Sequence, residues 1–143
     1  MRRRQAIAVL ALAGTFVALY LWLHKIGVIG VLQCGSGGCD TVQASQYADF
    51  LGLPVALYGV GGYLALLIVS LVAVRPAAAG RCGFDLVLAA AASLGFAFTV
   101  YLTALELFVI HAICRWCVAS AAIITAIWVI AVSSVLPRRA RTP

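Results

Sequence analysis

The chain has 143 residues, 65% of them hydrophobic and 10% charged, with a formal net charge of +6 and a mean hydropathy of +1.13. Soluble domains are about half apolar and about a quarter charged. The composition therefore excludes an ordinary soluble enzyme or nucleic-acid-binding module and sets the class as a polytopic membrane protein, with room for one small bundle and no separate soluble domain.

Met1-Arg2-Arg3-Arg4 ahead of an apolar run resembles a signal peptide. The run at residues 6–23, about 18 residues, is too long for an ordinary signal core and long enough to span a bilayer. His24 and Lys25 stand where a small-residue cleavage site would be, so the segment is expected to be an uncleaved signal anchor. A loop follows at residues 24–54. Its first part, with Gly35, Gly37 and Gly38, is expected to be mobile. Asp40 or Thr41 is predicted to cap a short interfacial helix running to about Phe50, which Gly52 and Pro54 would end.

Three more spans are predicted at residues 55–74, 86–110 and 114–136, stopped by Arg75-Pro76, by the turn around His111 and by Pro137-Arg138-Arg139. Lipid-exposed backbone cannot find partners in hydrocarbon, so all four must be helices. The predicted fold is an all-α, four-helix transmembrane bundle with an exterior loop that carries a short helix, forming a single domain over residues 1–143. Gly59-x-x-Gly62, the alanines at 89–92, Ser93 and Gly95 offer small surfaces for close helix contact.

Arg2, Arg3, Arg4, Arg75, Arg81, Arg138, Arg139 and Arg141 fall on one side of these spans, and Lys25 and Arg115 on the other. The positive charge is thus a topological signal rather than a nucleic-acid surface: both termini and the loop at 75–83 are expected in the cytoplasm of a bacterial plasma membrane. Cys34, Cys39, Cys114 and Cys117 then lie on the exterior side, where disulfides persist, while Cys82 lies in the reducing cytosol and has no assigned role.

Cys114-Arg115-Trp116-Cys117 places two sulfurs about one turn apart at a helix start. The helix terminus and Arg115 would both favour a thiolate, the reactive form. Alone the pattern suits a structural disulfide as well as a redox-active one; a second pair, Cys34 and Cys39, on the same side favours redox exchange. Four thiolates can also bind zinc, but the glycine-rich spacing and membrane-edge setting favour exchange, and no metal is expected. Glu106 is a carboxylate near the exterior end of a span, a candidate for function, snorkelling or capping. His111 is a candidate proton relay. Tyr20, Trp22, Tyr47, Tyr101 and Trp116 fit an interfacial aromatic belt, and Trp116 could also flank a quinone ring.

Taken together, the loop cysteine pair after the first span, Val42 and Ser45, the run Phe50-Leu51-Gly52-Leu53-Pro54 leading to Gly59 and Tyr63, and Cys114-x-x-Cys117 at the head of the fourth helix resemble the vitamin K epoxide reductase family in its compact bacterial form. The likeness covers nearly the whole chain. The quinone-coupled DsbB-like family has the same helix number but carries its Cys-x-x-Cys in the first exterior loop, not the last. The resemblance implies that Cys34 meets a partner dithiol, that Cys39 relays electrons through a transient disulfide with Cys114, and that Cys117 faces a quinone of the menaquinone, ubiquinone or phylloquinone type. It places Ser45 near that quinone, with Phe50, Trp116 and His111 as further expected contacts. The implied partner is a soluble, exported, DsbA-like thioredoxin-fold protein, separate from this chain, which ends at Pro143.

Departures from the animal members bear on the substrate. Only four residues separate Cys34 from Cys39, Ala121 stands where those members have a tyrosine, and no counterpart of their vitamin K-contacting asparagine is seen. Quinone reduction, rather than epoxide reduction, is the implied activity. The competing class is a thiol-based heavy-metal binding or transport protein, which would be expected to hold a cytoplasmic cysteine pair where this chain has only Cys82. A third reading, a structural subunit whose disulfides staple the exterior loop, would tolerate loss of Cys117.

Overall fold

A computed structural model of the chain describes residues 1–30, 34 and 38–139. Four helices are long and apolar enough to cross a membrane: α1 (Arg2–Lys25), α3 (Val55–Val74), α4 (Cys82–Leu105) with its π-helical continuation Glu106–Ile110, and α5 (Arg115–Arg139). The protein is the multi-pass helical bundle that its composition predicts. Helix α1 packs along α3 and α5, and α4 packs on α5 and less extensively on α3. The core between them includes Ile7, Ala11, Ala18, Leu66, Leu88, Ala92 and Ile127.

Small residues set these approaches, though not all as the sequence suggests. The Tyr63 ring lies across Gly14, where any Cβ would overlap it. A Cβ on Gly59 would come within 3.2 Å of Ala18, and one on Gly95 within 3.2 Å of Ile124. Gly62 faces open space instead. Only Gly59 of the Gly59-x-x-Gly62 pair serves helix contact.

The loop after α1 departs most from expectation. Its helix, α2 (Gly38–Ala44), starts earlier and ends sooner, so Asp40 and Thr41 lie inside it rather than capping it. Ser45 turns extended and its hydroxyl donates to the Val42 carbonyl at 2.7 Å, ending the helix. A 3-10 turn, Gln46–Ala48, follows, and then a small antiparallel hairpin of β1 (Asp49–Phe50) and β2 (Leu53–Pro54). Phe50 is therefore on a strand. Leu51 and Gly52 both have positive φ, 53° and 82°, as a two-residue turn between antiparallel strands requires. The expected glycine mobility at 35 and 37 lies outside the described residues.

The loop between α3 and α4 is shorter than predicted, because Cys82 and Asp85 already belong to the first turn of α4. Asp85 suits that position, where the helix dipole favours a negative charge. It also meets Arg4. The Arg4 Nε and Nη2 donate to the two Asp85 carboxylate oxygens at 2.9 and 3.0 Å, and Nη1 donates to the Ala73 carbonyl at 2.6 Å. Both residues are buried. One guanidinium thus ties the start of α1 to the end of α3 and the start of α4. At the same end, Arg3 Nη1 donates to the Ser133 carbonyl at 2.8 Å. Pro137 has no N–H for that carbonyl, so the arginine supplies the missing donor.

Removing one partner of the Arg4–Asp85 pair leaves the other buried without its counter-charge. Asp85→Ala is expected to lower the unfolding free energy in mixed micelles by about 2–3 kcal/mol. Arg4→Lys, which keeps the charge but loses the planar fork, should lose part of that. An unchanged denaturation midpoint in both variants would refute the clamp.

Candidate functional site

The end of the bundle opposite Arg4 gathers the four paired cysteines. It is organised by the way α4 stops. A π-helical turn at Glu106–Ile110 leads into His111 in the left-handed region, φ 56°. The Ala112 N–H then donates to the Glu106 carbonyl at 3.2 Å, and the Cys114 N–H donates to Glu106 Oε2 at 3.2 Å. Glu106 is 7% exposed, and its side chain holds the connecting segment onto the helix that precedes it. Single π turns inside long helices mark functional positions more often than chance.

Cys114 stands at the head of α5. Its carbonyl accepts the Val118 N–H at 3.0 Å, and its sulfur accepts the Cys117 N–H at 3.4 Å. A cap side chain takes the same bond at an ordinary helix start. The sulfur thus sits at the positive end of the helix dipole. A hydrogen bond from the Cys117 side chain holds the Cys114 thiol below the ordinary cysteine range, outweighing the opposing effect of burial.

Helix α2 approaches this segment through Gly38, whose missing side chain leaves room for the Ile113 carbonyl; a Cβ there would overlap it. The approach puts Cys39 and Cys114, both fully buried, into one apolar cluster with Leu21 and Val42. Cys39 is disulfide-bonded to Cys34, with Cα atoms 6.2 Å apart, while Cys114 and Cys117 are free thiols. Lys25 Nζ donates to the Gln43 carbonyl at 3.0 Å and lies 3.4 Å from Asp49; His24 Nε2 lies 3.4 Å from Asp40. These contacts fasten α2 and the hairpin over the end of α1.

Beneath that roof is a largely apolar cavity of about 560 Å³, within the range of small-molecule sites. Cys117 lies on its wall, together with Gln43, Ser45, Phe50, Tyr63, Glu106 and Ser120. Gln43 Nε2 is 3.9 Å from the Cys117 sulfur. Tyr63 Oη donates to the Ser120 carbonyl at 2.8 Å. Phe50, Tyr58 and Phe98 stack edge-to-face at one side, with centroids 5.7–6.4 Å apart.

Of the residues singled out in the sequence, Cys117, Ser45 and Phe50 line the cavity, and Cys114 lies behind it. Trp116 turns away, its ring 4.8 Å from that of Tyr20, and His111 is exposed at the helix end; neither is part of the lining. Tyr47, assigned above to the aromatic belt, does line it. Gln43 and Gly38 were not singled out as site residues. A side-chain amide in so apolar a chain is a usable signal for the first. The need for Gly38 depends on a long-range backbone contact that no local pattern reveals.

A family model described as the vitamin K epoxide reductase family matches residues 5–132. The match covers most of the chain, and the chain belongs to that family, which makes it a membrane thiol–disulfide oxidoreductase.

Gly38→Ala is expected to push α2 away from Ile113 and reduce the yield of a Cys39–Cys114 cross-link in Cys34→Ser protein under mild oxidation by at least about tenfold, since interior packing tolerates little overlap. Unchanged yield would show that the approach does not depend on the glycine. In protein carrying Cys82→Ser, with the Cys34–Cys39 disulfide intact, ultraviolet thiolate absorbance should rise with a midpoint below the ordinary thiol value near about 8.5. Cys117→Ala should move that midpoint upward; a midpoint unmoved by the substitution would contradict the hydrogen-bond cause.

Proposed function

We propose that the protein oxidises an exported, soluble, DsbA-like thioredoxin-fold dithiol and passes the electrons through its two cysteine pairs to a membrane quinone. The observation that carries this reading is the placement of the four sulfurs. Cys34–Cys39 is a disulfide at the outer edge, Cys39 and Cys114 share one buried cluster, and Cys117 lies on the wall of the apolar cavity. The order along this path is the order in which electrons would travel.

In this reading the partner thiolate attacks Cys34, breaking the Cys34–Cys39 bond and forming a mixed disulfide with Cys34. The partner's second thiol attacks its own sulfur in that bond and releases Cys34, leaving the partner oxidised and Cys34 and Cys39 as thiols. Cys39 then attacks Cys114 of an oxidised Cys114–Cys117 pair, and Cys34 resolves the Cys39–Cys114 bond. Two electrons now reside on Cys114 and Cys117, the state in which that pair is seen. The placement of Cys114 at the helix head favours its departure as a thiolate when Cys34 resolves the Cys39–Cys114 bond; Cys114 and Cys117 would then re-form their disulfide as a quinone takes up the two electrons and two protons.

The cavity fits a quinone head group by its volume, its aromatic side at Phe50, Tyr58 and Phe98, and its few polar groups. Ser45 and Gln43 are hydrogen-bonding side chains in its lining on the α2 side, with Trp116 and His111 outside the lining. A quinone supplies a two-electron, two-proton acceptor soluble in the bilayer. The basic residues favour a bacterial plasma membrane orientation with both termini cytoplasmic and the cysteines outside, in one transmembrane domain over residues 1–143. The disulfide at Cys34–Cys39 favours this reading over heavy-metal binding, since those two sulfurs are engaged with each other rather than presented as thiolates.

Purified protein supplied with a reduced DsbA-like dithiol and a soluble quinone analogue should consume both in equal amounts. Cys117→Ala and Cys34→Ala should each lower turnover at least about 100-fold, as expected when a nucleophile of the chain is lost. Turnover that survives loss of Cys117, or protein that binds zinc or mercury stoichiometrically and reduces no quinone, would overturn the proposal.

A further inference from the structure

We infer that Glu106 is the base that takes the Cys117 thiol proton, so that the reduced protein holds one proton shared between sulfur and carboxyl. The inference rests on the proposed role of Cys117 and deepens it. Four observations support it. Among the described residues Glu106 is the one carboxylate in the cavity lining. Its carboxyl is pinned by the Cys114 N–H at 3.2 Å, which fixes its direction. The same carboxyl and the Cys117 sulfur lie on the wall of one cavity, the carboxyl held to the residue at the head of the helix turn that carries Cys117. Finally, the Gln43 amide points its nitrogen at the Cys117 sulfur from 3.9 Å, on hand to stabilise a thiolate once the proton has moved. In an apolar cavity the release of a proton to bulk water is unfavourable, and an acceptor on the same cavity wall is the available route.

The transfer breaks the Cys117 S–H bond and forms an O–H bond on Glu106, moving the negative charge from oxygen to sulfur without moving electrons between the groups. Oxidation of the pair to the Cys114–Cys117 disulfide then releases two electrons to a quinone-class acceptor, and two protons in all. The proton held by Glu106 is one of them, and the proton given up by Cys114 is the other.

Two groups that share one proton titrate as a pair. Between the two apparent pKa values of the pair the thiolate fraction does not change with pH, whereas an isolated thiol gains thiolate tenfold per pH unit below its own pKa. The other titratable groups facing the cavity are Tyr47 on the 3-10 turn and Tyr58 and Tyr63 on α3. Cys114 lies behind it on the α5 side. Helices α1 and α4 add no titratable group to the lining apart from Glu106 in the π turn that continues α4. Arg115, His111, Asp40 and Asp49 are exposed around the roof.

The experiment uses the full chain in detergent with Cys114→Ser, so that Cys114 does not titrate, and with the Cys34–Cys39 disulfide intact. N-ethylmaleimide modification of Cys117 is followed by peptide mass spectrometry between about pH 6 and pH 8.5, a range below tyrosine ionisation. The expected rate is constant within about twofold, while addition of Glu106→Gln, whose carbonyl can still accept the Cys114 N–H, should restore a rise of about tenfold per pH unit. A tenfold rise per unit already present with Glu106 intact overturns the inference without reference to the variant. So does an equally flat profile in Glu106→Gln. No quinone or thiol partner enters the measurement, so its outcome is separate from that of the turnover assay.

Discussion

In hydrocarbon a polar group has no water to turn to, and its partners must come from the chain itself. That constraint explains where nearly every polar side chain of this bundle goes. Thr15, Ser93 and Thr125 return their hydroxyls to the carbonyls four residues back, and Ser70 to the one three residues back. Arg4 and Asp85 neutralise each other at one end. At the other, Tyr63 finds Ser120, and the Glu106 carboxyl finds the Cys114 amide at the head of a new helix. Among the described residues no buried side-chain nitrogen or oxygen lacks a partner. The polar groups left facing the cavity are therefore already oriented, which is the condition for a site whose geometry precedes its ligand.

The two ends of the bundle are built differently. At the Arg4 end, one guanidinium spans three chain segments with charge-assisted bonds inside the protein. At the cysteine end, the roof is a helix of 7 residues and a hairpin of two-residue strands, tied down mainly by partly exposed contacts from His24 and Lys25. Exposed ion pairs are worth about 0–1 kcal/mol each, so these ties resist displacement weakly. The tight element is the seat of Gly38 on Ile113. The proposed relay would need both properties: a fixed approach for Cys39 toward Cys114, and enough freedom in the segment to let Cys39 exchange one sulfur partner for another.

Hydropathy made the bundle legible because it reports directly on the membrane: apolar runs of about 20 residues have one solution in lipid. The Cys-x-x-Cys at the head of α5 was legible for a similar reason, since its spacing is local. What was not legible depended on contacts distant in sequence. Arg4 counted only as a topological charge, and nothing near it announces Asp85 as its partner. The hairpin at 49–54 was read as the end of a helix because Leu51 occupies a positive-φ position that leucine rarely takes. Glu106 was a candidate on position alone; its bond to Cys114 needed the π turn, which leaves no signature in the residue pattern.

The spacing of Cys114 and Cys117 also explains how one short segment can serve two environments. Three residues on a helix advance about 300°, so two side chains so placed differ by about 60° around the axis while remaining about one turn apart along it. They are near enough to join and divergent enough to face different neighbours. Cys114 is buried within the Cys39 cluster; Cys117 packs at the edge of that cluster and reaches the cavity wall, which it shares with Glu106 and Gln43. A pair facing one way would place both sulfurs against the roof or both against the cavity. In the proposed relay that divergence would divide the work between a sulfur met by other sulfurs and a sulfur on the cavity wall, and the carboxyl that fixes the backbone of the first lines the same cavity as the second.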